Sequence, residues 1–523
     1  MTKQTFLKGT LILILAGFIT RILGFINRIV VARFIGEEGV GLYMMAVPSL
    51  VLVITITQLG LPVAISKLVA EAAAQGDNRR IKKILVVSLS ITGTLSILFT
   101  PAIFFVAPYL ADTIFTDERI IWPLLAITPV VPIVAISSVI RGYFQGKQNM
   151  QPAAISQVLE QTIRISLVAL FTSAFLPYGI EYAAAGAMIS SVIGELVSLI
   201  YLLTMFKVKK KLKVRRNFFN SLKKGKSTFN QLMSIALPTT GSRLIGSISW
   251  FFEPIVVANS LAIAGVATAV ATKQYGGLTG YALPLLMLPS FITVSLSTSL
   301  VPAISEAMAQ KKLFLVEHRL QQAIRLSLVT GGLASVVLYI FAEPLMVFMY
   351  GNSQSAIFVK VLAPFFIFHY FQSPLQAVLQ GLDLARAAMI NSLIGSAVKT
   401  ALIFILATRP SLGIIGAGLA IAIGIILTTL LHFATVMKVV PFTIHVRAYI
   451  KSVITIVLSG ITGYYFYHFL IDSLNDSIRL IIAICITSLV YCFMLLLFKL
   501  IDREEMNRIP FIGSFLAKLI PVK

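Results

Sequence analysis

Arg21 and Arg28 stand seven residues apart in an apolar stretch, with Asn27 beside them. Seven steps of about 100° return to nearly the same face of a helix, so both guanidiniums point one way. No acid lies within a turn of either along that helix. Charge inside a hydrocarbon layer is costly, so such residues are the first candidates for function. Arg243 stands in a second apolar stretch, in Ser242-Arg-Leu-Ile-Gly-Ser followed by Pro254-Ile-Val-Val-Ala. That order repeats Thr20-Arg-Ile-Leu-Gly-Phe followed by Arg28-Ile-Val-Val-Ala. Two-fold pseudosymmetry would set Arg243 across a common hydrated space from Arg21. Three arginines there would bind an anion, and guanidinium suits phosphate through paired hydrogen bonds. The competing reading is that they lie near helix ends, snorkel, or pair with acids such as Glu253.

Glu195 and Glu253 are lone acids within apolar stretches. Each could pair with an arginine or carry a coupling proton or sodium ion, and Pro254 is expected to bend the helix after Glu253 and expose carbonyls. Glu160 and Arg164 are four apart, the spacing of a self-neutralising helical pair. Lys399 has no evident role. The two cysteines, Cys485 and Cys492, read as packed thiols, and no Cys/His metal spacing occurs among the five histidines. No phosphate-binding loop, zinc-protease motif or large connecting domain is present, so neither an enzyme nor a cofactor is expected.

The elements that must hold these residues are membrane helices. The chain is 58% hydrophobic and 12% charged, against about 25% charged in ordinary soluble domains. Ile84–Ala111 runs 28 residues without a charge and Gln274–Ser305 runs 32, each beyond the ~20 that a helix needs to cross a bilayer. About fourteen spans are expected, all helical, because lipid offers backbone groups no partner. Pro48 matches Pro289 and Pro62 matches Pro302, at offsets of 241 and 240 residues. Glu71-Ala-Ala-Ala-Gln matches Glu306-Ala-Met-Ala-Gln, and Phe144-Gln-Gly matches Leu379-Gln-Gly, both at an offset of 235. Two parallel six-helix repeats follow, forming N and C lobes around a central cavity, with two extra helices after them. The expected layout is an N lobe at 1–206, a basic linker at 207–230, a C lobe at 231–440, two further spans at 441–500 and a tail at 501–523. The four matched prolines would let their helices bend.

The net charge of +23 is distributed by membrane side rather than gathered for nucleic acid. Ten Lys/Arg and no acid lie between Lys207 and Lys226. Arg79-Arg80, Lys82-Lys83, Lys147, Lys311-Lys312 and Lys438 fall in connections of the same parity, while Glu37-Glu38, Asp117-Glu118 and Glu343 fall in the others. The positive-inside rule then puts both termini and the linker in the cytoplasm, with the linker resting on anionic lipid.

Arg21-Ile-Leu-Gly-Phe followed by Ile29-Val-Val-Ala-Arg-Phe-Ile-Gly36 resembles the first span of the multidrug/oligosaccharidyl-lipid/polysaccharide exporter superfamily, and its Arg-x-Leu-Gly-Phe string is similar to the lipid II flippase branch. The resemblance covers nearly the whole chain and leans toward polysaccharide-transporter members of endospore formers. It implies alternating access by two six-helix lobes, an undecaprenyl-pyrophosphate-linked saccharide as substrate, and a role in spore-cortex peptidoglycan. It carries a cavity arginine onto Arg21. The branch's next arginine falls at Asn27, with Arg28 one place later, and its arginine in span eight is missing from the uncharged Tyr281–Leu288. Rival expectations are a flippase for another lipid-linked polysaccharide, a cation-coupled drug exporter, and a polymerase or scaffold working with cell-wall enzymes.

Overall fold

The structure, a computed structural model, describes residues 6–209, 225–443, 446–470, 475–498 and 500, without the side chains of 6–14, 209, 242 and 470. Most of the basic linker and the tail at 501–523 lie outside the described residues.

Among the described residues every regular element is helical. α1 (Phe6–Gln58) holds 53 residues. At about 1.5 Å per residue it is long enough for two passages. Gly36 divides it with a φ of 64° and a ψ of −176°. α2 (Leu61–Ala74) completes the second passage after a left-handed turn at Leu59 and Gly60. A methyl on Gly60 would stand 2.7 Å from the Ala236 carbonyl oxygen, so this turn needs glycine for space as well as φ. α3 (Asn78–Tyr109) starts from Asp77, whose side chain accepts the Arg80 N–H. A 3₁₀ turn at Glu118–Ile120 leads into α4 (Ile121–Ile127), then α5 (Val130–Gly146), α6 (Gln151–Phe175) and α7 (Ile180–Lys209).

α8 (Lys226–Ile263) runs unbroken through Pro238 and Pro254, with no interruption after Glu253. α9 (Thr268–Gly276), a π segment at Gly277–Ala282, α10 (Leu283–Met287) and α11 (Ser290–Ala309) make one broken passage. α12 (Leu313–Ile340), α13 (Ala342–Tyr350), α14 (Ala356–Gly381), α15 (Ala385–Ala407), α16 (Gly413–Met437), α17 (Val446–Tyr465) and α18 (Asp476–Leu497) follow. Among the described residues thirteen stretches are long and apolar enough to cross a bilayer, and the first, Leu15–Ala74, is long enough for two passages. This is a multi-pass membrane protein with the fourteen spans expected. Cys485 and Cys492 are free and exposed on α18, not packed.

The chain folds into two compact units, Met1–Tyr281 with Thr400–Ala417, and Ala282–Lys399 with Gly418–Lys523. The first has a core of Ile65, Val69, Ala72, Ile81, Leu85, Tyr143 and Phe144. The second has Leu300, Ile304, Ala307, Val316, Leu320, Val378 and Leu379, each 235 residues later than its counterpart. Backbone turns repeat too: Gly76 and Lys311, and Gln148 and Asp383, are left-handed at the same offset. So do the close helix contacts. A methyl on Gly146 would lie 2.6 Å from the Ser66 carbonyl oxygen, and one on Gly381 would lie 3.0 Å from that of Val301. Gly186 meets the Phe171 carbonyl oxygen and Gly416 that of Leu406, a further repeated contact. Small residues let helix backbones approach where lipid gives little hydrophobic drive for association.

The matched prolines divide the work between them. Pro62 opens α2 and Pro289 caps α11, so each copy breaks at one of them. Pro48 and Pro302 lie inside α1 and α11. A proline in the first turn loses no hydrogen bond, whereas an interior one removes one.

Candidate functional site

The intramembrane arginines fall into two groups. Arg21 and Arg28 are exposed on the front half of α1, and Arg243 is exposed on α8. Among the described residues none of the three makes an ion pair or side-chain hydrogen bond. All three belong to the first compact unit, whose α1 and α8 pack together and share a hydrogen bond between Thr55 and Ser247 of 3.0 Å. Asn27 points elsewhere. It is 6% exposed, within the packed side of α1, and its Oδ1 has no partner among the described residues. Gln161 of α6 lies beside Gly24 on that side, and its Oε1 is also without a partner there.

The second group is paired. Arg141 on α5 donates from Nη2 to Glu195 Oε1 at 3.0 Å and to Ser198 Oγ at 2.9 Å, both on α7. The same nitrogen lies 3.5 Å from Glu160 Oε2 on α6, and Arg164 Nη2 lies 2.6 Å from Glu160 Oε1. Two guanidiniums and two carboxylates balance. Glu195 is therefore not a lone acid, and the Glu160–Arg164 pair is present as its spacing implied. Arg141 is the member that the sequence reading missed. It sits in an apolar run with no acid within a turn, the same signal that marked Arg21. Glu253 is buried on α8 and engaged with a partner.

The second copy repeats the geometry of this network without its chemistry. A methyl on Gly194 would meet the Glu160 carbonyl oxygen at 2.9 Å and Arg164 Cβ at 3.4 Å. One on Gly424 would meet the Gly395 carbonyl oxygen at 3.4 Å and Lys399 Cβ at 2.7 Å. Lys399 is thus the counterpart of Arg164, and Gly395 stands where Glu160 would be. α14, α15 and α16 contain no Asp or Glu.

A third cluster joins α1, the turn before α4, and α9. Asp117 is 3% exposed and accepts from Arg119 at 2.9 Å and from Thr272 Oγ1 at 2.7 Å. Arg119 also donates to Glu38 at 2.7 Å. Burial alone would raise the Asp117 carboxyl, but the hydrogen bonds from Arg119 and Thr272 and the Arg119 charge outweigh it and hold it below the usual carboxylate range. Among the described residues no group of three or more His, Cys, Asp or Glu could hold a metal ion.

A duplicated six-span bundle with unpaired cations on two of its helices has the build of a membrane transporter. The chain belongs to the polysaccharide biosynthesis protein family, whose profile matches residues 6–308, and residues 254–405 match the MatE profile. It is 63% identical over 518 residues to stage V sporulation protein B of Bacillus subtilis (strain 168), covering 99% of this chain and 100% of that one. It is 25% identical to the lipid II flippase MurJ of the same organism, over 87% of each chain. The fold is that of a lipid II flippase MurJ in an inward closed conformation, with a TM-score of 0.70 at 17% identity over 92% of this chain and 98% of that one.

Proposed function

We propose that this protein is a flippase that moves an undecaprenyl-pyrophosphate-linked peptidoglycan precursor of the lipid II type from the inner to the outer leaflet, for spore-cortex synthesis. One observation carries the reading. The chain neutralises Arg141 and Arg164 with carboxylates and leaves Arg21, Arg28 and Arg243 unpaired among the described residues. Insertion scales put each bare arginine at about 2.5–3.5 kcal/mol in mid-bilayer, so three of them imply water and an anionic guest. A pyrophosphate offers oxygens for bidentate contacts with each. The similarity to the lipid II flippase MurJ supports the same cargo class, and that to stage V sporulation protein B supports a setting in sporulation.

In this reading Arg21, Arg28 and Arg243 replace the water and counterions of the headgroup while the prenyl tail stays in lipid. Asn27, packed behind Arg28, holds the helix face that presents it. Pro48 and Pro302 let their helices flex, and the breaks at Pro62 and Pro289 are hinges for alternating access. Glu253 is the candidate for a coupling ion or gating, and Glu195 acts through its bond to Arg141. Both termini face the cytoplasm and the linker rests on anionic lipid. Cell-wall synthesis enzymes would supply and consume the cargo. The family description favours, as second reading, another lipid-linked polysaccharide unit held at the same pyrophosphate contacts.

The test is lipid II translocation in proteoliposomes, wild type against Arg21→Ala and Arg243→Ala, each confirmed as folded. Headgroup movement that both substitutions reduce by an order of magnitude or more supports the reading. Movement untouched by either removes the arginines from the site, and a folded wild type that moves none under an applied gradient turns the reading to another glycan.

A further inference from the structure

We propose that a groove between α12, α14 and α17 is a binding site for one acyl chain of a phospholipid, and that this lipid completes the seat of the last two helices on the second copy of the repeat. The site lies wholly within the second compact unit. It is independent of the cargo and shares no residue with the arginine contacts. The charge pattern enters only in placing it in the outer leaflet.

α17 and α18 lie outside the duplication and are fastened to α12 at two levels. Near the middle of α12, Tyr491 Oη of α18 donates to the Val329 carbonyl oxygen at 2.9 Å. A methyl on Gly332 would stand 2.7 Å from that hydroxyl and 3.0 Å from Ile456 Cδ1 of α17. Beyond the outer end of α12, the Phe341 and Tyr467 rings meet edge to face at 5.8 Å. Between these contacts the helices leave a groove of about 490 Å³, lined also by Pro364 of α14. Its floor is Ser335, Val336 and Gly460, all buried. Its rim includes Tyr339, Ile461, Tyr464 and Tyr465, all exposed. The tyrosines gather at the outer end, where such rings sit at headgroup level.

The repeat indicates the occupant. At the offset of 235, Tyr339 and Ile340 match Phe104 and Phe105 of α3, which are 56% and 78% exposed on a bare apolar face. In the second copy α17 lies beside that same face, so a surface made for lipid chains becomes a groove that holds one. Left empty, it would forfeit the dispersion contacts of its walls. At about 30 Å³ for each water-sized unit the groove holds about sixteen, the volume of one acyl chain and well short of an undecaprenyl tail. The floor narrows the class further. A helical serine commonly bonds the preceding turn, as Ser327 does to the Ala323 carbonyl oxygen at 2.8 Å. Ser335 is 8% exposed, and its Oγ has no partner among the described residues. A spare buried hydroxyl suits an ester carbonyl, which a glycerophospholipid carries and a prenyl chain lacks. Beside the rim, exposed His468 stacks on Tyr464 at 4.3 Å and Arg479 lies over the Tyr467 ring, placing nitrogen donors at the level of a headgroup phosphate.

The test reads which lipid stays with the protein. A benzophenone amino acid is placed at Ile461 on the groove, or at Phe105 on the matching bare face. The protein is reconstituted with phosphatidylglycerol, exchanged into detergent and irradiated. Intact mass should show one phosphatidylglycerol adduct at Ile461 and none at Phe105. A methyl on Gly460 would meet only Val336 and Ile340, at 3.5 and 3.8 Å, so a larger side chain there enters the groove. Gly460→Leu should therefore lose the adduct, while Gly93→Leu, in open space on α3, should keep it. Ser335→Ala keeps the shape and should lower the yield. No adduct at Ile461, or equal adducts at Ile461 and Phe105, would reduce the groove to ordinary bilayer contact and overturn the site. An unchanged adduct in a Gly460→Leu protein that melts like the parent would overturn it too. So would an adduct of lipid II in place of phosphatidylglycerol when both are supplied, which would give the groove to the cargo. The comparison of Ile461 with Phe105 leaves the floor untouched, so it decides even where Gly460→Leu fails to fold. It is read without transport, so the failure of the lipid II reading would leave it standing.

Discussion

A guanidinium in a membrane reaches low energy beside a carboxylate or in water; Arg141 takes the first route, and in the proposed reading Arg21, Arg28 and Arg243 take the second. The difference predicts opposite stability effects. Arg141→Met leaves Glu195 and Glu160 buried with one arginine between them. Removing one partner of a buried ion pair costs about 3–5 kcal/mol. Arg21→Met removes an exposed charge that no carboxylate balances, and should leave stability unchanged or slightly raised. Thermal unfolding in detergent checks both, with the midpoint falling only for Arg141→Met. A like fall for Arg21→Met would mean that Arg21 is structural and would weaken the anion reading. The three unpaired arginines were legible in the sequence because the sign of interest was an absence, no acid within a turn. Arg141 gave the same local sign, yet its carboxylates lie 54 and 19 residues onward, on helices that meet it only in the fold. Local spacing cannot separate the two cases. The Asp117–Thr272 bond was hidden for the same reason, since Asp117 reads as an ordinary loop acid.

At the scale of elements, the duplication was legible from prolines and short strings, and the helix contacts give it a physical basis. Gly146 against Ser66 and Gly381 against Val301 are one contact made twice. A methyl added at either overfills a packed helix crossing, which typically costs about 1–3 kcal/mol. Gly146→Ala and Gly381→Ala should therefore lower stability by similar amounts. The two sites lie in different compact units, so the double variant should sum to within about 0.5 kcal/mol. Gly93→Ala, with open space around it, is the control and should be neutral. Chemical denaturation of the four proteins in mixed micelles measures this. A neutral Gly381→Ala beside a damaging Gly146→Ala would mean that the second copy is packed more loosely than its twin. Which matched proline would break a helix was not legible. Both members of each pair carry the same local signal, and the choice falls to tertiary fit, as at Gly60 against Ala236.

At the scale of the molecule, orientation follows from where cations are free to act. Fourteen spans would put both ends on one side, and several described cations differ by side in their partners, although Arg80 is tied to Glu71 on the linker side and Arg409 makes no described ion pair on the other. On the side read as outer, Arg119 is held by Asp117 and Glu38, Lys360 by Glu343 at 2.7 Å, and Arg479 lies 4.5 Å from the Tyr467 ring centroid. Such cations are tied to partners and offer little to anionic headgroups. On the other side Arg79, Lys83, Lys311, Lys312 and Lys438 make no described ion pair, and the linker adds its run of ten. Free basic residues near the membrane are each attracted by about 1 kcal/mol to an anionic leaflet. The insertion energetics thus favour the linker side as cytoplasmic. A fluorescent protein inserted at 210–224 should fluoresce, and alkaline phosphatase inserted after Asn352 should be active. The reverse pattern would turn the molecule over and set the Asp117–Thr272 end toward the cytoplasm.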